Sequence, residues 1–342
     1  MTSRDAPMPA AAAPVSATLT GGERPTLEAR NLTLSIRLGQ RMAVVVRDAS
    51  FTIAPGEVFA LVGESGSGKS VMARSIMRLM PPSVVQMEGE LRLGDVDLIG
   101  ADPRSLRGLR GNRMSMIFQE PMTSLNPLMT VEAQIDEIIK VHRGGSEQQR
   151  RQRILGLLAD VQFARPAQVA KMFPHELSGG MRQRAMIALA LANDPALLIA
   201  DEPTTALDVT IQQEIMEILM RLRQSYRLSV LFISHDLSLV YRYADSIGVL
   251  YGGVMVEQGA AREIIRTPRH PYTKALLDCI PRARRQGERQ AGIEGSVPRI
   301  DDWFTGCRFA PRCTYRQAEC AEREIPLQVT GEGRNARCLY PL

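Results

Sequence analysis

Apolar and polar residues alternate through LTLSIRL and MAVVVRDASFTI, between Thr26 and Ile53, which predicts two antiparallel strands joined by a turn near Gly39. The alternation then stops. VFALVG is wholly apolar, as a strand covered on both faces of a parallel sheet would be. A glycine-rich stretch follows, and Lys69–Met80 has helical spacing up to Pro81-Pro82. MSMIF reads as another short buried strand. Residues 131–162 hold two helical patterns separated by the polar HRGGSEQQ, and a further helix is expected over Gly179–Ala192. ALLIAD, LSVLFIS and SIGVLYGG alternate with helical segments, the rhythm of a parallel α/β sheet. No internal repeat is visible. From Glu288 to Leu342 the periodicity fades into Gly, Pro, Arg and Cys, which predicts an irregular module pinned by something other than a large core. Residues 1–25, rich in Ala and Pro, read as a disordered leader rather than a secretory signal.

Composition adds further constraints. With 342 residues, 44% of them hydrophobic, the chain has room for about two domains and a large core. Its longest apolar runs, such as Ala196–Ala200, fall far short of the roughly 18 residues needed to span a bilayer, so no transmembrane helix is expected. Of 42 basic residues only four are lysines, so a lysine in a suggestive position carries unusual weight. Residues 1–260 balance 27 basic against 27 acidic groups, while residues 261–342 carry 15 against 10. A neutral body argues against nucleic-acid binding as the main activity. All five cysteines lie at or after Cys279, and without an export signal a disulfide framework explains them poorly.

One of the four lysines closes Gly63-Glu64-Ser65-Gly66-Ser67-Gly68-Lys69-Ser70, which fits G-x-x-x-x-G-K-[ST] between a predicted strand and a predicted helix. Glycines let the backbone curl its N–H groups toward a phosphate, and the helix start adds about half a positive charge. Lys69 is placed to reach the β- and γ-phosphates, and the Ser70 hydroxyl to ligate Mg²⁺. This predicts an ATP site. Asp201-Glu202 ends an apolar strand, which puts both carboxylates at the edge of the sheet where ligands bind. There Asp201 is placed to hold Mg²⁺ and Glu202 to polarise an attacking water.

Leu177-Ser178-Gly179-Gly180-Met181 opens another helix, with Ser178 as N-cap and two glycines exposing N–H groups at a positive helix end. With this segment the chain resembles the ATP-binding subunits of ABC transporters, whose signature is LSGGQ; LSGGM is similar to a variant of the peptide-importer branch. Phe118-Gln119-Glu120 resembles the Q-loop, Thr205-Ala206-Leu207-Asp208 the D-loop, and Ile233-Ser234-His235-Asp236 the switch-histidine segment. The resemblance implies a P-loop NTPase core over 26–259, with a parallel sheet, an antiparallel β subdomain and a helical subdomain at about 120–185. It implies that two such domains close head to tail, so that ATP lies between the phosphate loop of one and Ser178-Gly179-Gly180 of the other. By the same resemblance Gln119 contacts Mg²⁺ and the attacking water, and His235 contacts the γ-phosphate. One departure stands out: the family stacks adenine on an aromatic residue near position 38, and LSIRLGQRM offers none.

The tail, 260–342, extends the resemblance. Arg269-His270-Pro271-Tyr272-Thr273 resembles the HPYT segment of oligopeptide and dipeptide importer ATPases; no chemical role for His270 or Tyr272 follows from the residues alone, and packing is the simpler reading. Cys307, Cys313, Cys320 and Cys338 lack the close C-x₂-C pair usual for zinc, so an iron–sulfur cluster, zinc or four reduced thiols all stay open. The similar cysteine tail of the peptide-importer branch, in some members of which a 4Fe–4S cluster is bound, implies the first. Arg308, Arg312 and Arg337 are expected to offset the thiolate charge, and Cys279 is expected to be a buried apolar residue outside the group.

The resemblance therefore implies a peripheral ATPase on the cytoplasmic face of the inner membrane, energising import of peptides or a related solute such as nickel. Its partners would be a second ATPase subunit, identical or paralogous, two permease subunits and, through them, a solute-binding protein. A soluble ABC ATPase acting on nucleic acid or ribosomes is the alternative; the lack of a second ATPase half or long inserted arms speaks against it. A non-hydrolysing regulatory subunit is disfavoured by the presence of Glu202 and His235.

Overall fold

A computed structural model describes residues 24–119, 124–204, 208–280, 292–299, 302–331 and 333–342. The leader expected over 1–25 lies almost wholly outside them. In chain order the strands are β1 (Leu27–Leu38), β2 (Arg41–Ile53), β3 (Val58–Val62), β4 (Val85–Leu93), β5 (Val96–Asp97), β6 (Met114–Ile117), β7 (Leu197–Asp201), β8 (Ser229–Ser234), β9 (Ser246–Tyr251), β10 (Val254–Ala260), β11 (Gln328–Gly331) and β12 (Arg334–Ala336). The helices that matter below are α1 (Lys69–Ile76), α2 (Pro103–Leu109), α3 (Val131–His142), α4 (Glu147–Asp160), α5 (Pro166–Ala170), α6 (Gly179–Ala190), α7 (Val209–Tyr226), α8 (Leu237–Tyr243), α9 (Ala261–Arg266) and α10 (Pro271–Asp278).

Two sheets follow the two hydrophobic rhythms. The alternating segments form an antiparallel sheet, β2-β1-β4-β5, whose inner face includes Leu27, Ala29, Leu91 and Leu93. The apolar runs form the centre of an eight-stranded sheet, β11-β12-β10-β9-β3-β8-β7-β6, in which β3, β6, β7, β8 and β9 run parallel. Every residue of β3, β7 and β8 is buried, as a strand covered on both faces must be. One face of this sheet packs on the antiparallel sheet, where Phe51 and Phe59 stack at 5.2 Å, and the other packs on the helices.

Helices α3, α4 and α5 form a lobe set off by capped ends. Thr130 caps α3, and Ser146 with Gln149 makes a reciprocal capping box on α4 within HRGGSEQQ. The helix expected over Lys69–Met80 stops at Ile76. Arg78 takes a left-handed conformation, φ 54°, so that its N–H reaches the Ser75 carbonyl and the Leu79 N–H reaches that of Arg74; this pair of bonds closes the last turn four residues early. Strands β4 and β5 escaped the sequence pattern because Glu88, Gly89 and Glu90 interrupt the apolar alternation on the exposed face.

The tail is less irregular than its composition suggests. Strands β11 and β12 extend the large sheet beyond β10, pairing Glu257 with Ala336 and Gln258 with Asn335. Buried Glu257 accepts hydrogen bonds from the Arg269 and His270 amides at 2.8 and 3.0 Å and from the Arg334 guanidinium at 3.3 Å. Trp303, the sole tryptophan, donates its indole N–H to the Val44 carbonyl at 2.7 Å, while the Arg47 and Arg308 guanidiniums lie 4.1 and 4.2 Å from its ring. Among the described residues no helix is long and apolar enough to cross a membrane.

Candidate active site

Buried strands carry their first polar side chains to one edge of the large sheet, and the chemistry collects there. The loop after β3 turns sharply at Gly63, φ 152°, where a Cβ would stand 2.1 Å from the Leu250 carbonyl oxygen; only glycine fits. Gly68, left-handed, leads into α1, whose first residue is Lys69. An open cleft of about 210 Å³ is lined by Val45, residues Ser65 to Val71, Gln119 and Glu202. Backbone N–H groups and a helix start thus face one cavity, an arrangement suited to phosphate.

The charged groups are few and interlocked. Lys69 is buried and donates to the carbonyls of Gly63 and Glu64, at 2.7 and 2.9 Å. Burial pushes its pKa down, against the pull of Glu202, Asp201 and Glu64. Ser70 donates to Asp201 Oδ1 at 3.1 Å. Burial raises the Asp201 pKa, the Ser70 hydrogen bond works against that, and neighbouring Glu202 adds to it. The pair fits a divalent cation in donor chemistry: Ser70 and Asp201 would hold it, and its charge would relieve this cost. Glu202 has φ 47°, an uncommon backbone conformation for this residue type and one that turns its carboxylate out of the strand line. Gln119 Nε2 donates to Glu202 Oε2 at 3.1 Å, and His235 Nδ1 lies 3.2 Å from the same oxygen. The Glu202 side chain is mostly covered, whereas that of His235 is 64% exposed and free to meet a ligand.

Lys69, Ser70, Asp201, Glu202, Gln119 and His235 are therefore brought together. Ser178, Gly179 and Gly180 are not. Ser178 caps α6, accepting from the Met181 amide at 3.3 Å, and neither Ser178 nor Gly179 is buried; none of the three lines the cleft. Glu120 and Thr205-Ala206-Leu207 lie outside the described residues, while Asp208 caps α7 through the Ile211 amide. Among the described residues no aromatic lines the cleft. Val45 is the one apolar residue that the antiparallel sheet contributes, and the Trp303 ring is already held by two guanidiniums.

Two tail residues reach the phosphate loop, and sequence reasoning missed both. The Tyr272 hydroxyl accepts from the Glu64 amide at 2.9 Å. Arg312 grips the Glu64 carboxylate at both oxygens, 2.7 and 3.1 Å. The signals were the HPYT segment and the arginine before Cys313, but nothing in their spacing points 200 residues upstream.

A second, small pocket is lined by Cys307, Cys313, Cys320 and Cys338 together with His270, Pro271, Phe309 and Tyr340. All four cysteines line this one pocket; Cys279 does not, and it is half-buried at the end of α10 rather than buried as expected. The fold that gathers them is local and tight. The Cys307 amide donates to the Cys320 carbonyl at 2.7 Å, and a Cβ on Gly306 would meet that same oxygen at 2.5 Å. Burial pushes the Cys307 thiol up to about 11 and raises Cys313 and Cys338 as well. The expected charge compensation is not there: Arg312 holds Glu64, Arg337 reaches the Ile325 carbonyl and Asp48, and Arg308 reaches the carbonyls of Asp302 and Arg299. Among the described residues no three His, Cys, Asp or Glu groups stand at metal-holding spacing. Number and convergence fit a thiolate-held group; the spacing shown does not.

Known proteins give this architecture a family. Residues 46–205 match the ABC transporter family model, and residues 256–320 match the model described as oligopeptide/dipeptide transporter, C-terminal region. The dipeptide transport ATP-binding protein DppD of Escherichia coli (strain K12) is 46% identical over 311 residues, 90% of this chain and 95% of the relative. Among solved structures, a dimeric post-hydrolysis state of the ATP-binding cassette MJ0796 bound to ADP and Pi superposes with TM-score 0.61 at 30% identity, covering 69% of this chain and 99% of that one. cbiO1 of Clostridium perfringens, at 24% identity and TM-score 0.61, covers 71% of this chain and 92% of its own and shares the fold. This chain belongs to the ABC transporter ATPases, in the branch that carries the oligopeptide/dipeptide transporter C-terminal region.

Proposed function

We propose that the protein is the ATP-hydrolysing subunit that energises import of peptides, or a related solute such as nickel, through an ABC transporter. The observation that carries it is the meeting of Gln119, Glu202 and His235 beside the Ser70–Asp201 pair, in a chain with the oligopeptide-type tail. ATP enters with its phosphates on the amides of Ser65 to Ser70. Lys69 exchanges the carbonyls it now holds for phosphate oxygens. Ser70, Asp201 and Gln119 hold Mg²⁺, which when bound screens the phosphate charge. Glu202 accepts the proton of the attacking water, Gln119 orients that water, and His235 swings onto the γ-phosphate.

The second half of the site comes from another ATPase subunit, self or paralogue, which supplies Ser178-Gly179-Gly180. The outward-facing Ser178 and Gly179 support this reading, since a helix start with open N–H groups suits a partner's nucleotide. Permease subunits dock on the lobe of α3 to α5, beside Leu128, which is 85% exposed. Docking places the chain on the cytoplasmic face of the inner membrane. Reconstitution with permeases and binding protein tests this: peptide should raise ATP turnover and accumulate in vesicles. Turnover in the complete complex that ignores every peptide offered, while responding to RNA or ribosomes, would transfer the assignment to the nucleic-acid class.

The four cysteines hold an iron–sulfur cluster, 4Fe–4S in preference to zinc, on the support of their convergence on one pocket. Cluster ligation requires the thiols to lose their protons and draw closer than the spacing described above. Oxygen-free purification followed by metal analysis decides among iron, zinc and neither.

A further inference from the structure

The phosphate loop is not held by the ATPase core alone. Its second residue, Glu64, is fixed at both ends by residues of the tail: the amide by the Tyr272 hydroxyl and the carboxylate by Arg312. Arg312 is built for this. Its side chain is 4% exposed, and its other donors are taken by the Glu294 and Ile293 carbonyls and by the Tyr251 hydroxyl, at 2.8, 2.9 and 3.3 Å. Burial opposes its charge, but hydrogen bonds to Glu64 and Tyr251 outweigh that. Tyr251, Tyr272 and Phe309 pack ring against ring around the contact, with centroids 4.5 to 5.3 Å apart. Glu64 itself does not line the cleft that Ser65 to Val71 form. A carboxylate released over that cleft would face the triphosphate as a like charge, in a site where Lys69 is already partly desolvated.

We propose that Arg312 and Tyr272 are positioning residues for ATP: they keep the Glu64 carboxylate off the phosphate cradle and set the curl of the loop, so that the tail tunes nucleotide affinity. The inference rests on the loop's being the ATP site. Neither residue touches the reacting atoms, so the effect belongs in affinity and not in chemistry.

The test uses the full chain, titrated with a non-hydrolysable ATP analogue, and the assembled transporter for rates. Arg312→Ala should weaken binding by about 10-fold and raise KM for ATP similarly, with kcat within about 2-fold. Removing the repelling group as well, in Arg312→Ala with Glu64→Ala, should recover most of the loss. A structural role alone would give no such recovery. Trp303 emission reports whether the tail is still docked on Val44. Should Arg312→Ala undock it, Tyr272→Phe decides, because it removes one hydroxyl and no charge; an affinity loss of about 3-fold upholds the proposal and wild-type affinity overturns it. Unchanged affinity in a docked Arg312→Ala, or a double variant no better than the single, also overturns it. A wild-type chain that binds no analogue would sink the ATP-site reading itself, which is a separate result.

Discussion

The cleft at the phosphate loop and the pocket of the four cysteines are opposite solutions to gathering reactive side chains. The cleft takes its groups from strand ends and helix starts, and its polar side chains are paired: Lys69 with the loop carbonyls, Ser70 with Asp201, Gln119 and His235 with Glu202. The cysteine pocket is walled by Phe309, Ile325 and Leu339, and burial drives the thiols of Cys307, Cys313 and Cys338 toward the neutral form. One site is polarised before its ligand arrives. The other holds neutral thiols, so any metal has to displace their protons on binding, and its binding is coupled to pH and folding.

The sharpest way to break this contrast is at Glu202. Glu202→Gln keeps the hydrogen-bond shape toward Gln119 but removes the base, so steady-state turnover in the assembled transporter should fall by about 10³-fold while ATP still binds. A rate near wild type would strip Glu202 of the role. Lys69→Ala should act on the other side of the cycle. It deletes the one cation of the loop, and binding of the analogue should weaken by about 10²-fold. Equal effects of both variants on affinity would mean that the cleft does not separate binding from chemistry.

The same contrast explains what the sequence disclosed. The cleft was legible because each of its parts is a local pattern, a strand followed by a turn and a helix start, and because Lys69 is one of only four lysines. Ser70 and Asp201 sit 131 residues apart, yet Ser70 lies where the loop after β3 enters α1 and Asp201 ends β7, and a parallel sheet gathers such strand ends on one edge. Tyr272 and Arg312 were illegible for the converse reason. Their contacts with Glu64 span 208 and 248 residues, a separation that no periodicity announces. The tail looked irregular because β11 and β12 are four and three residues long, too short to show alternation. The arginines near the cysteines misled: proximity in sequence suggested charge compensation, and the fold sends each guanidinium elsewhere.

Serine at Cys307, Cys313, Cys320 or Cys338 sharpens the comparison from the other side. Each change should bleach an absorption near ~400 nm in protein purified without oxygen and lower the unfolding midpoint, because a thiolate-bound cluster stabilises the folded state it binds. Serine at Cys279, outside the pocket, should do neither. Cys313→Ser adjoins Arg312 and should weaken ATP binding more than Cys338→Ser does; equal effects would separate the pocket from the phosphate loop. Metal analysis that finds one zinc, or nothing, in a colourless wild-type protein would replace the cluster.

The smallest expected effect is one of pH, and it comes from His270, which lines the cysteine pocket and caps α10. Its Nδ1 accepts from the Tyr272 amide at 3.0 Å, which only the neutral ring can do. Complete burial pushes its pKa down from about 6.5 to about 3, against a weaker upward pull from the Arg337 backbone. The sign follows. Between these two values the unfolded chain binds a proton at this ring and the folded chain does not, so acid favours unfolding. The stabilisation is complete above about pH 6.5 and is lost progressively as pH falls toward 3, by at most ~1.4 kcal/mol per pH unit. Urea midpoints followed by Trp303 emission from pH 7 to 4 should therefore fall faster in wild type than in His270→Asn. Asparagine can still accept from the Tyr272 amide, but it does not titrate. Parallel slopes in the two proteins would take the acid sensitivity of the tail away from His270.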